Sequence, residues 1–185
     1  MEFKHIPVML NEVIDGLDIK KDGIYVDCTV GGGGHSFEIA KRLKGGHLYA
    51  FDRDEDAIKK SSQTLEKFKD RVTLTKANYK QAPEILKSLG VEKIDGFLID
   101  LGVSSYQIDE AERGFSFVHD GRLDMRMDRD EAVETAYDIV NTYSDKQLAQ
   151  IFRDYGEEEF AWQIAKNIVK HREKAPIETT FQLRD

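Results

Sequence analysis

The sequence predicts an α/β fold, a Rossmann-like and mostly parallel doubly wound sheet that gives way to a helical region. Three observations predict it. Short β-branched and aromatic segments alternate with helical patterns between Ile24 and Leu101. Four consecutive glycines, Gly31 to Gly34, follow the first of those strands and open a helix. Beyond Gly102 strand candidates cease and helical periodicity takes over. Alternation of this kind implies parallel strands, because each strand must be regained by a crossover helix and not by a hairpin.

Taken in order, Met9–Leu17 reads as a short leading helix. Strands are expected at Ile24–Cys28, His47–Phe51, Val72–Lys76 and Ile94–Leu101, with helices at Ser36–Leu43, Glu55–Phe68 and Tyr79–Leu89 between them. Residues 103–130 read as one long structured loop, and loops of that length are usually functional. Helices are then expected at Ala132–Asn141, from the Ser144-x-x-Gln147 capping box through Phe152, and at Glu157–Arg172. In the last of these Phe160, Ile164 and Ile168 recur at helical spacing, with Ala161, Ala165 and Val169 beside them. Thr179-x-x-Gln182 opens a fourth helix. The organisation expected is therefore a sheet domain over 1–103 and an incomplete helical part over 104–185, with the chain truncated inside that part.

Composition narrows the class. At 40% hydrophobic and 34% charged residues the chain reads as soluble and globular, and its apolar runs are too short to span a bilayer. The first five residues show no apolar secretion signal, and a single cysteine excludes an internal disulfide and fits a reducing cytoplasm. A net charge of −8 argues mildly against nucleic-acid binding by overall charge, leaving local patches. No metal site is expected.

The turn itself, Asp27-Cys-Thr-Val-Gly-Gly-Gly-Gly-His-Ser36, is built for an adenosine-containing ligand above the strand ends. Glycines allow positive φ and let a ligand approach the backbone. A P-loop needs Lys-Ser/Thr after its glycines, but His35-Ser36 stand there. A dinucleotide fold needs G-x-G-x-x-G, of which Gly31 and Gly33 supply two glycines and Ser36 breaks the third. Asp27-x-x-x-Gly31-x-Gly33 fits the third choice, S-adenosylmethionine. The distinction is charge: a carboxylate at the turn repels a pyrophosphate and attracts the ammonium and sulfonium of S-adenosylmethionine. A strand-end turn aspartate is the plain alternative for Asp27. Asp52 closes the second strand nineteen residues after Gly33, where a carboxylate accepts both ribose hydroxyls. It could also cap the next helix, for which Asp54 is the better placed residue.

These residues, with Phe51-Asp-Arg-Asp54, Asp95-Gly-Phe-Leu-Ile-Asp-Leu-Gly-Val-Ser-Ser105 and Glu112-Arg-Gly-Phe-Ser-Phe117 followed by Gly121-Arg-Leu-Asp-Met-Arg-Met-Asp128, resemble one family closely. It is the bacterial 16S ribosomal RNA cytosine-N4 methyltransferase family, RsmH or MraW. The resemblance runs from His5-Ile-Pro-Val-Met-Leu10 to the end of the chain. It implies a class I S-adenosylmethionine-dependent methyltransferase whose sheet is interrupted after its fourth strand by an inserted helical substrate-recognition domain, within a longer protein. Carried over by motif, Gly33, Gly34 and His35 would contact the cofactor in the turn, Asp52 its ribose and Tyr79 its adenine. Asp100 and Gln107 would flank the methionine end and the reacting centre. Read without the family, Tyr79 serves equally well as a core aromatic, and His35 as a helix-start residue. The partners implied are 16S ribosomal RNA or the small ribosomal subunit, with no membrane, and a homodimer is left open.

Asp100 is the expected catalytic residue. An exocyclic cytosine amine is a poor nucleophile, and a carboxylate at the fourth strand end can accept a hydrogen bond from it or from the cofactor; a plain strand-end turn residue is the alternative. The usual Asp/Asn-Pro-Pro-aromatic tetrapeptide of amino methyltransferases is replaced by Asp100-Leu-Gly-Val-Ser-Ser-Tyr106. Tyr106, Phe115 and Phe117 are candidates to stack on the base, or anchors of their loop. Cys28 reads as core packing and not as a nucleophile. For phosphate contact there are two clusters, Arg113, Arg122, Arg126 and Arg129 in the loop, and Lys166, Lys170, His171, Arg172 and Lys174 late in the third helix. The first is interleaved with carboxylates and could be internal ion pairs. The second could be a favourable helix C-terminal charge. A nicotinamide dehydrogenase and a non-catalytic cofactor- or RNA-binding module are the competing readings.

Overall fold

The computed structural model of the chain describes residues 7–185; the His5-Ile6 opening of the family motif lies outside them. The described residues form two compact units, one running to Gly102 and the other from Val103 to Asp185.

The first unit is led by α1 (Leu10–Leu17) and built on β1 (Ile24–Asp27), β2 (His47–Asp52), β3 (Val72–Lys76) and β4 (Gly96–Leu98). All pairs are parallel, in the order β3-β2-β1-β4. Helices α2 (Gly34–Arg42), α3 (Glu55–Leu65) and α4 (Ala82–Ser88) make the crossovers. Side chains alternate across a strand, so β1 feeds two cores. Tyr25 packs with Ile14, Ile39, Leu43 and Leu48 on one face, while Val26 packs with Phe51, Ala82 and Leu86 on the other. Cys28 belongs to the second cluster, as its core reading requires, and burial pushes its thiol pKa up.

Single-residue differences apart, three elements of this unit are shorter than expected, the first being α3, which gives way to a 3-10 turn at Glu66–Phe68. The fourth strand keeps only Gly96–Leu98: at its start the Asp95 carboxylate takes the Ile24 N–H at 2.9 Å, and at its end the paired strand β1 stops at Asp27, opposite Leu98. The third helix of the sheet unit divides into a 3-10 turn, Tyr79–Gln81, and α4, where the Asn78–Gln81 capping box tightens its start.

In the second unit the expected loop contains α5 (Ser105–Asp109) and a 3-10 turn at Ala111–Arg113. The cause is a capping box in which Ser104 and Gln107 satisfy each other's backbone N–H groups. Then come α6 (Ala136–Thr142), α7 (Asp145–Gly156), α8 (Ala161–Arg172) and α9 (Thr180–Arg184). Capping boxes at Thr135, Ser144 and Thr179 start α6, α7 and α9, and Glu157 in the left-handed conformation ends α7. That reversal delays α8 to Ala161. Its buried stripe is Ala161, Ala165 and Ile168, facing Leu148 and Ala149 of α7, while Phe160 remains 61% exposed. The expected Phe160–Ile164–Ile168 seam is thus rotated, because alanines admit the neighbouring helix more closely. Loop residue Leu123 is buried in this core, and an antiparallel bridge joins Arg122 to Thr179. No helix among the described residues is long and apolar enough to cross a membrane.

Candidate cofactor and reaction site

The site in the first unit grows from one topological fact. The sheet order reverses direction between β1 and β4, and ligands of open α/β sheets lie beyond the strand C-termini at such a point. Asp27, Asp52 and Asp100 stand at or just after the C-terminal ends of β1, β2 and β4.

Asp27 is 1% exposed. Its Oδ2 accepts the Ser36 hydroxyl at 2.7 Å and its Oδ1 accepts the Thr29 N–H at 3.1 Å. Burial raises its pKa from 3.8 to about 6, against the lowering pull of those two bonds. The carboxylate is therefore a fixed charge beneath the turn, oriented by its own loop.

Above it the glycine turn is drawn toward β2. Val30 N–H donates to the Phe51 carbonyl at 2.8 Å, and Gly31 N–H to Asp52 Oδ2 at 2.9 Å. Asp52 Oδ1 accepts the Asp54 N–H at 3.0 Å, and burial, the largest influence, raises the Asp52 pKa. Asp54 caps α3 by accepting from Asp56 N–H, so the cap and the second strand-end carboxylate are separate residues, as expected. Gly31 and Gly33 take positive φ, 50° and 85°, which a side chain would strain. A Cβ at Gly32 would meet nothing within 4 Å, so the outer surface of the turn is open for a ligand. At Gly34 a Cβ would collide with the Pro7 ring. His35 is buried, and its Nε2 lies 3.0 Å from the Val8 carbonyl, which ties the segment before α1 to the start of α2.

Asp100 is exposed, and its N–H donates to Thr29 Oγ1 at 2.8 Å. Thr29 thus holds Asp27 through its N–H and Asp100 through its hydroxyl, linking the ends of β1 and β4. Neither Thr29 nor Ser36 was singled out by sequence reasoning, though both lie in the quoted motif; an S/T two residues after, or nine after, a strand-end Asp was the available signal. Tyr79 follows β3 and is 36% exposed, outside every core cluster, which disfavours its core reading.

The remaining expected residues lie in the second unit. Gln107 is buried, its Oε1 accepting the Ser104 N–H at 2.9 Å. Tyr106 and Phe117 are exposed and Phe115 is half-buried. Arg113 is 2% exposed and donates to the carbonyls of Arg126 and Met127 at 3.1 and 3.0 Å. Arg126 pairs with Asp124 through bonds of 2.9 Å from both Nε and Nη2, which lowers the Asp124 pKa. Arg129 donates to the Glu112 carbonyl. These arginines staple the loop to itself. No group of three or more His, Cys, Asp or Glu suited to a metal occurs among the described residues.

The sequence pattern of the MraW methylase family matches residues 2–185. The ribosomal RNA small subunit methyltransferase H of Lachnospira eligens is 54% identical over 186 residues, covering 100% of this chain and 59% of that protein. The proteins of the same name from Finegoldia magna and Clostridioides difficile are 54% and 52% identical, with 99% and 100% of this chain and 58% and 60% of theirs covered. The chain therefore spans about 60% of the length of these relatives. Among solved structures, an rRNA methylase from Streptococcus thermophilus shares 26% identity at a TM-score of 0.44, over 53% of this chain and 57% of that one.

Proposed function

The chain belongs to the MraW methylase family, and from that premise we propose that the whole protein transfers a methyl group from S-adenosylmethionine to the N4 amine of a cytosine in 16S ribosomal RNA. The observation that carries this reading is the trio of strand-end carboxylates, Asp27, Asp52 and Asp100, around a glycine turn whose outer surface is open. The fit to the cofactor is chemical. A buried anion beneath the turn suits a cationic amino acid moiety, and Asp52 offers acceptors where a ribose diol would lie. The exposed Tyr79 ring suits an adenine face, and His35 contributes through its main chain at the start of α2, its ring being held by Val8.

When bound, the cofactor supplies an electrophilic methyl group on a sulfonium. The residues supply position and charge, which is most of what an in-line displacement needs. Asp100, held by Thr29, accepts a hydrogen bond from the N4 amine, localises its lone pair toward the incoming methyl, and receives or relays the proton that the methylated nitrogen sheds. The unit from Val103 onward is the inserted substrate-recognition part. Tyr106, Phe115 and Phe117 are its stacking candidates, whereas Arg113 and Arg126 act by shaping the loop. A ribosomal RNA substrate fits a cytoplasmic location.

The test uses the full-length protein, small-subunit RNA and cofactor, with mass spectrometry of the RNA. N4-methylcytosine is expected. Asp100→Asn should lower turnover by about a hundredfold or more with cofactor affinity retained. Near-wild-type turnover in that variant would remove Asp100 from the chemistry.

A further inference from the structure

We infer that the face shared by α7 and α8 is an RNA-binding groove, in which an unpaired base stacks on Trp162 while flanking phosphates meet Lys146, Arg153, Lys166 and Lys170. This rests on the reading of RNA as substrate and assigns a surface to it. The groove has a volume of about 350 Å³ and is lined by Lys146, Ala149, Gln150, Arg153, Asp154 and Trp162.

The helical register explains the grouping. Lys146, Gln150 and Arg153 recur along one side of α7, and Trp162, Lys166 and Lys170 recur every fourth residue along α8. The opposite sides of both helices are buried through Leu148, Ala161, Ala165 and Ile168, and these cationic side chains are exposed. Trp162 keeps 37% of its surface exposed. The Lys166 ammonium stands 5.0 Å from its ring centroid, a weak contact at an exposed site that a phosphate can outbid.

The distribution of cations points to a polyanion. Most arginines of this unit are engaged by its own chain: Arg113, Arg126 and Arg129 inside the loop, Arg172 on the Val140 carbonyl, and Arg184 on Asp185 and the Phe117 carbonyl. Lys146, Arg153, Lys166 and Lys170 have no ion-pair partner among the described residues. In a chain of net charge −8, four unpaired cations beside an exposed indole form a local positive stripe with a flat platform in it. That combination suits single-stranded nucleic acid, whose phosphates need cations and whose bases need a π-face. Gln150 and Asp154 add hydrogen-bonding groups at the base edge.

The experiment measures binding of a short fluorescent single-stranded RNA to full-length protein across a salt series, with cofactor affinity by calorimetry alongside. Trp162→Ala should weaken RNA binding roughly tenfold while Trp162→Phe restores most of it. The combined Lys146→Glu, Lys166→Glu, Lys170→Glu variant should lower the slope of log Kd against log salt by about 0.7 for each phosphate that is no longer neutralised. Cofactor affinity should not move, which excludes global misfolding. If the wild type binds and methylates RNA and every variant matches it in affinity and salt slope, the groove is overturned and the proposed function stands. If the wild type binds no single-stranded RNA yet methylates small-subunit RNA, the groove alone is overturned; if it neither binds nor methylates, both fall.

Discussion

Ser36 donates its hydroxyl to Asp27 Oδ2 at 2.7 Å, from the first turn of α2 back to the end of β1. This bond holds a carboxylate that burial has made costly to ionise. Its raised pKa, about 6 against an ordinary 3.8, means that the folded state keeps a proton which the unfolded chain has lost between those values. Stability therefore falls as pH rises through that window, by roughly 3 kcal/mol in total from this group. Burial raises the Asp52 pKa as well, and adds in the same direction.

Asp27→Asn keeps an acceptor for the Thr29 N–H and removes the charge. Urea unfolding should show a variant at least as stable as wild type at neutral pH, with a flatter pH profile between 4 and 6. Cofactor affinity should drop about tenfold or more, since the cation loses its anion. A variant that loses stability but binds the cofactor normally would make Asp27 a turn residue only.

Gly32 and Gly34 differ in their surroundings. An added Cβ at Gly32 meets open space, so Gly32→Ala should change unfolding free energy by no more than about 0.5 kcal/mol. Its methyl would nevertheless stand where a ligand approaches the turn, and calorimetry should show cofactor binding weakened at least tenfold. Gly34→Ala would drive a methyl into Pro7 and disturb the Val8–His35 bond, at a cost of roughly 1–3 kcal/mol in stability. Normal cofactor binding by Gly32→Ala would move the ligand away from that peptide.

Thr29 joins the two carboxylates it touches. Thr29→Val removes the acceptor for the Asp100 N–H and leaves the bond from its own N–H to Asp27. Turnover should fall about tenfold, by roughly 1–1.5 kcal/mol, with little change in cofactor affinity, and Thr29→Ser should restore it. Equal losses in both variants would contradict a role for the hydroxyl.

Arg113 gives a contrast within the second unit. Arg113→Ala leaves the carbonyls of Arg126 and Met127 without their donor inside the protein, costing roughly 2–4 kcal/mol in thermal or urea unfolding. A phosphate-binding arginine would instead lose RNA affinity at unchanged stability, and that outcome would overturn the stapling role.

Much of this architecture was legible from local pattern. The four strands, the glycine turn, the Asp54 cap and the Ser144 and Thr179 boxes all follow from side-chain periodicity or from hydrogen bonds spanning three residues. The Ser104–Gln107 box is the same kind of local signal, masked by its place at the start of a long loop. The shortened fourth strand was less accessible, because its limits depend on Asp95 capturing an N–H seventy-one residues away and on where β1 stops pairing with it.

The sequence by itself determined the fold class, the glycine turn after the first strand and the three strand-end carboxylates, since backbone period, glycine permissiveness and charge sign are local properties. Only the tertiary structure decided which side chains are free to act. Thr29 and Ser36 became the organisers of Asp27 and Asp100, His35 was drawn to Val8, and Arg113, Arg126 and Arg129 were tied to their own loop. The physical reason is that a hydrogen-bonding group buried on folding must find a partner, and that partner is set by packing across the chain. Lys166 and Lys170 already stood out in the sequence as cations, whereas their grouping with Trp162, Lys146 and Arg153 depends on how α7 packs against α8.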